Sequence, residues 1–273
     1  MSTPVAAEPQ ATGARTRLRA VAVPSEHGGW GLTAEPGLLG LLVAPGPAGL
    51  ALAFGALVAF LARTPLKLAL VDRRRGRALE RTTLARRVAV LELGLLAVLV
   101  GVAVATADAL FWAPLVLAVP LIAVEAWFDV RSRSRRLVPE VAGAVAVCSV
   151  VAMIVLADGG SAALAAGLWL VLAARVVTSI PHVRDRIAEL HSRPVDPRGA
   201  LVADALALVL AAAAVAFATE LVAGAVAVLA VVVLQRLSVH RPTDRAVVLG
   251  LRQMALGFGL VVVTALGVIL TST

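Results

Sequence analysis

The sequence predicts an all-α integral membrane protein, a bundle of nine transmembrane helices, and three observations predict it. The 273-residue chain is 60% hydrophobic with a mean hydropathy of +0.94, well above a soluble domain, of which roughly half is apolar. It carries nine apolar stretches near the length needed to cross a bilayer, which is about 20 residues for roughly 30 Å of hydrocarbon. All 25 Lys and Arg residues fall in five segments, and the four connections between those segments have none.

The basic segments hold three bases (Arg15, Arg17, Arg19), nine (Arg63 to Arg87), four (Arg131 to Arg136), five (Arg175 to Arg198) and four (Arg236 to Arg252). Basic loops stay on the cytoplasmic side of a membrane. The spans are expected at 28–44, 46–62, 88–106, 109–127, 138–157, 161–179, 199–218, 220–237 and 249–270. The first two are short, but Arg19 and Arg63 need the same side, which two crossings satisfy. The turns at 45–47, 107–108, 158–160 and 219–220 carry Asp108, Asp158 and Glu220 and no base, so they face outward. The N-terminus is then inside and the C-terminus outside. Residues 1–22 are expected to be a disordered cytoplasmic tail, without the apolar core of a signal peptide, and 23–273 a single multi-pass domain. In lipid every backbone group must be bonded within its own segment, which dictates helices.

The net charge of +8 would suggest nucleic acid in a soluble chain. Here the bases are topogenic and face anionic headgroups, so membrane lipids are the expected partners and nucleic acid is not. The one cysteine, Cys148, excludes an internal disulfide and sits where packing is expected. HExxH, CxxC, Walker and GxGxxG patterns are absent, which leaves no motif for metal or nucleotide chemistry.

Ionisable residues within a membrane mark functional sites by default. Glu26, Glu92, Glu125, Asp129, Glu140, Arg175, Asp204 and Arg252 lie at similar depth on seven spans, which suggests a polar cavity opening to the cytoplasm. All four histidines, His27, His182, His191 and His240, fall on that side. Glu35 is about 13 Å deeper than Glu26 at 1.5 Å per residue, near the bilayer centre, and is expected to be protonated or paired to an arginine. Pro36 follows it and frees a carbonyl one turn back. Ser25 can cap the first span, but a cap does not require the Glu26-His27 pair beside it. Residues Arg73-Arg74-Arg75-Gly76-Arg77 set guanidinium groups where they could fork onto phosphate oxygens.

Two resemblances follow from these residues. Glu26-His27-Gly28-Gly29-Trp30 with Glu35-Pro36, Arg63 to Arg77, Asp129 to Glu140 and Ser179-Ile180-Pro181 resemble the YwiC-like family of bacterial membrane proteins. That resemblance implies a bacterial inner-membrane location and assigns no activity. Nine spans with large loops after spans two, four and six resemble, more distantly, the UbiA superfamily of intramembrane prenyltransferases, which hold a prenyl diphosphate through magnesium on two aspartate motifs. Asp72 stands nine residues before Arg81-Thr82, as the last aspartate of the first motif would, but Leu68 and Ala69 replace the Asn and Asp. Asp185 is what remains of the second motif. One carboxylate per loop is a poor magnesium cradle, so no cofactor is expected.

On this resemblance the expected function is a UbiA-like transferase, or a binder of an isoprenoid or anionic lipid. Asp72, Asp129, Asp185, His27 and Glu26 would be its catalytic groups, and Arg73, Arg77, Arg131, His182 and Glu35 its substrate contacts, without a metal. Two alternatives remain open: a proton-coupled transporter or permease using Glu35, and a non-catalytic haem- or quinone-associated component with His27 and His182 as axial ligands.

Overall fold

A computed structural model describes residues 18, 21–22, 27–76, 79–108, 110–131, 133, 136–195, 197–239 and 245–271, with His27 and Gly28 described by backbone alone. Glu26, Arg77, Ser25 and nearly all of the expected tail over 1–22 lie outside them. The described residues form nine α-helices and no strand. They are α1 (His27–Val43), α2 (Pro47–Arg74), α3 (Glu80–Thr106), α4 (Ala113–Val130), α5 (Leu137–Ala157), α6 (Ala162–Leu190), α7 (Pro197–Phe217), α8 (Val222–Val239, entered through a 3-10 turn at Thr219–Leu221) and α9 (Ala246–Thr271). Eight are long and apolar enough to cross a membrane; α1, with 17 residues, falls just short. The chain is a multi-pass membrane protein.

Each expected span falls on a helix, eight of the nine long and apolar enough to cross, and several helices run past the expected bounds. α2 continues to Arg74, α3 begins at Glu80, and α6 continues to Leu190. Hydropathy ends where lipid ends, whereas a helix continues while its backbone bonds can be made. The 29 residues of α6 reach about 44 Å at 1.5 Å per residue, so its basic end stands clear of a 30 Å core. The expected loop over 63–87 is therefore mostly helix, and Arg63, Lys67, Asp72 and Arg73 are presented on α2.

Local rules explain the starts. Pro47 and Pro114 occupy first-turn positions, where a missing N–H costs nothing. Ser161 caps α6, accepting from Leu164 N at 3.1 Å. At one end of the bundle Asp108 N donates to Ala157 O at 3.0 Å and Asp158 lies against Gly46. These are the turns without bases. At the other end Arg74 donates to Val130 O at 3.2 Å, Arg184 meets Glu140 at 2.7 Å and Arg186 donates to Val239 O at 3.4 Å. Bases thus gather at one end, together with the carboxylates that pair with them, and the turns at the other end carry none, as the charge pattern predicts.

The central pillars are α5 and α6, the most enclosed spans, while α3 is the least. Leu91 on α3, Leu117 on α4 and Val202 on α7 stand exposed, as lipid-facing side chains must. Lipid tails are as apolar as leucine, so close approach of small residues, not hydrophobicity, drives helix association. α7 buries Ala203, Ala207, Ala211 and Ala214 in one stripe, and α2 buries Ala48, Ala51, Leu52 and Gly55. α2 to α5 pack as one group and α6 to α9 as another, joined at α5–α6. α1 closes the seam by packing on both α5 and α9. That position carries Glu35 to the interior.

Candidate functional site

α6 brings four polar residues to the interior: Arg175, Thr178 and Ser179 are buried, and His182 lies one turn further toward the basic end. Arg175 Nη2 donates to Gln253 O of α9 at 2.6 Å and reaches Glu35 Oε1 of α1 at 3.4 Å. Arg175 Nε and Nη1 are buried without a partner. Gly257, one turn beyond Gln253, makes room for this pair, since a Cβ there would overlap the Glu35 carboxylate.

A hydrogen-bonded chain continues toward the basic end. Gln253 Oε1 accepts from Gln235 Nε2 of α8 at 3.2 Å, and that nitrogen also donates to Ser179 Oγ at 2.8 Å. Thr178 Oγ1 lies 3.0 Å from Gln235 Oε1 and 2.6 Å from Asp204 Oδ1 of α7. Asp204 in turn holds Arg236 at 2.5 Å. Five helices are tied by this chain, as buried polar groups require partners in a low dielectric.

Two cavities flank it. The larger, about 370 Å³, lies among α6, α8 and α9. Its polar lining is His182, Arg186, Gln235, Ser238, Arg252 and Gln253, and the rest is apolar, including Leu234, Leu237, Leu249 and Leu256. The smaller, about 150 Å³, lies among α6, α7 and α8 and adds Asp185, Glu189, Asp204 and Arg236. His182, Arg186 and Gln235 line both. Arg186 is buried and held by Glu189 at 2.5 Å. Ser238 Oγ lies 3.5 Å from His182 Nε2 and donates to Gln235 O at 2.7 Å. The larger cavity has two guanidinium groups and no carboxylate in its lining, with leucines beside them.

Of the residues expected from sequence, His182 and Asp185 come to these cavities, and Glu35 reaches the chain behind them. Asp72, Asp129, Arg73 and Arg131 line neither cavity. Asp72 is buried, accepting from Thr82 Oγ1 at 2.7 Å and Arg81 at 3.2 Å, which ties α2 to α3. Asp129 accepts from Arg63 at 2.9 Å and Lys67 at 3.2 Å, and Glu125 meets Arg63 at 2.8 Å, which ties α4 to α2. Arg131 stacks on Trp127, 3.2 Å from the ring centroid, and Arg73 is exposed on the last turn of α2. Glu26 and Arg77 lie outside the described residues, and of His27 only its place at the start of α1 is described. Glu92 on α3 keeps one buried oxygen without a partner. Among the described residues no three His, Cys, Asp or Glu side chains gather as a metal site would require.

Gln235, Gln253 and Ser238 were not anticipated. A signal existed: the chain has three glutamines, Gln10, Gln235 and Gln253, and the last two sit inside apolar spans.

The chain's relatives enter at this point. Residues 23–155 match the family model described as YwiC-like protein. Over that stretch, just under half of its length, the chain is similar to the YwiC-like proteins. The match runs from the segment before α1 through most of α5, so this YwiC-like part contains Glu35, Asp72 and Asp129, while α6 to α9 and both cavities lie beyond it. Comparison with curated proteins and with solved structures finds no match.

Proposed function

We propose that this YwiC-like chain is a bacterial inner-membrane protein that binds an isoprenoid or lipid with an anionic headgroup, at the cytoplasmic end of α6, α8 and α9. In this reading it is an altered relative of the UbiA-like transferases. The observation that carries the proposal is the larger cavity, with His182, Arg186 and Arg252 beside Leu234, Leu237, Leu249 and Leu256. Bases fork onto phosphate oxygens, and leucines take a hydrocarbon tail. The cytoplasmic assignment rests on the basic loops at that end. Asp72 spends its carboxylate on Arg81 and Thr82, which supports headgroup capture by bases rather than through magnesium. A proton path to Glu35 would pass Gln235 and Gln253, whose amides are neither acids nor bases in water, so that geometry favours binding over proton-coupled transport.

The test is lipid analysis of the protein extracted in mild detergent. The wild type should carry a phosphate-bearing amphiphile by mass spectrometry, and Arg252→Gln should lose most of it while keeping the wild-type helical content by circular dichroism. A wild type that carries no anionic amphiphile, and acquires none when supplied, would overturn the proposal.

A further inference from the structure

The larger cavity is layered. His182, Arg186 and Arg252 stand with Ser238 toward the basic end, and Gln235 lies three residues deeper along α8, about 4.5 Å at 1.5 Å per residue. Gln253 on α9 accompanies it. The two glutamines differ in what they have left to give. Gln235 uses its oxygen on Thr178 and its nitrogen on Ser179 and Gln253. Gln253 uses its oxygen on Gln235, and its amide nitrogen donates to no described group although Gln253 lines the cavity. Directly behind it is Arg175, bonded to the Gln253 backbone oxygen, with Nε and Nη1 buried and unmatched. One unmatched donor of the lining, the Gln253 amide, therefore lies just below the basic mouth, where an occupant's hydrocarbon would otherwise begin.

An isoprenyl phosphate has no acceptor oxygen below its headgroup. Its chain would lie against the Gln253 amide and leave that donor desolvated and unpaired, at a cost comparable to a lost hydrogen bond. A glycerophospholipid differs in one relevant respect: its ester carbonyls sit a few bonds below its phosphate. We infer that the occupant of this cavity is a diacyl glycerophospholipid of the phosphatidate type. Its phosphate lies on His182, Arg186 and Arg252, and an ester carbonyl accepts from Gln253. This inference rests on the proposed headgroup binding and names its ligand class. Gln253 is the specificity-determining residue, because it alone distinguishes an ester-bearing chain from a bare hydrocarbon one.

Three probes of equal charge type separate the possibilities: dioleoyl phosphatidate, its dialkyl ether analogue, which lacks only the carbonyls, and farnesyl phosphate. Binding is measured by native mass spectrometry on the full chain in detergent. The ester lipid should bind about tenfold more tightly than the ether, the size of one hydrogen bond made in place of a buried unmatched donor. Gln253→Leu should abolish the preference, so that ester and ether bind with equal affinity. Arg252→Gln should weaken both alike. Equal binding of ester and ether, or tighter binding of farnesyl phosphate, overturns the ligand class while leaving a headgroup site in place. Failure of all three to bind overturns the headgroup reading as well. The ester–ether comparison needs no variant, so a folding defect in Gln253→Leu cannot decide the question.

Discussion

Glu35 of α1 and Arg175 of α6 meet in the bundle interior, 3.4 Å apart and each 2% exposed. They join the YwiC-like segment to the helices beyond it. Removing one partner of a buried pair strands the other charge, whereas removing both often costs little. Glu35→Gln should therefore destabilise the protein by about 3–5 kcal/mol. The double variant Glu35→Leu, Arg175→Met should recover most of that loss. Thermal unfolding in detergent reads both. Additive losses in the double variant would show that the pair is not coupled.

Gly257 is the second element of that arrangement. A Cβ there would overlap the Glu35 carboxylate, while Gly250 and Gly259 on the same helix have open space around theirs. Gly257→Ala should lower the melting temperature as much as Glu35→Gln does. Gly250→Ala and Gly259→Ala should leave it unchanged or slightly raised, since alanine is the better helix former by roughly 0.5–1 kcal/mol. A harmless Gly257→Ala would mean that the pair has room to move.

Asp72 gives a different test, because its partners Arg81 and Thr82 lie across a hairpin turn. Hydrogen bonds to a charged group contribute about 1.5–3 kcal/mol each. Asp72→Ala should make the connection over 75–79 more sensitive to protease in inside-out vesicles. The cavity of α6, α8 and α9 should be untouched, with lipid content at the wild-type level. Loss of bound lipid in Asp72→Ala, with the fold intact, would return Asp72 to the binding site.

Sidedness is measured by placing single cysteines in a Cys148→Ala background. Arg193, between α6 and α7, and Asp108, between α3 and α4, are both exposed. Arg193→Cys should react with an impermeant maleimide only from the cytoplasm, and Asp108→Cys only from outside, as basic loops stay inside. The opposite labelling would invert the orientation.

Much of the fold was legible because its signals are local. Nine apolar runs and five basic clusters can be read from one dimension, and the helices lie where those runs fall. Helix ends were less legible: Arg63 to Arg74 reads as loop by charge, yet α2 carries those residues on its last turns, bonded to α4 and α3. The spacing from Asp72 to Arg81-Thr82 was visible, but not that it closes a hairpin. Among the site residues His182 stood out as a titratable group near the interface. Gln235 and Gln253 did not, since an uncharged side chain in an apolar run barely alters hydropathy.

By itself the sequence determined that the chain lives in a membrane, where the helices of the described residues fall and which connections carry the charge. Composition and periodicity suffice for these, because lipid imposes the same demand on every span. Only the tertiary structure decided which polar groups meet. Each residue turns a helix face by about 100°, so whether Arg175 faces Glu35, lipid or a cavity depends on how α1, α6 and α9 are set against one another. That setting comes from glycine and alanine contacts between helices, such as Gly257 beneath the Glu35 carboxylate. No single segment of the sequence contains such a contact.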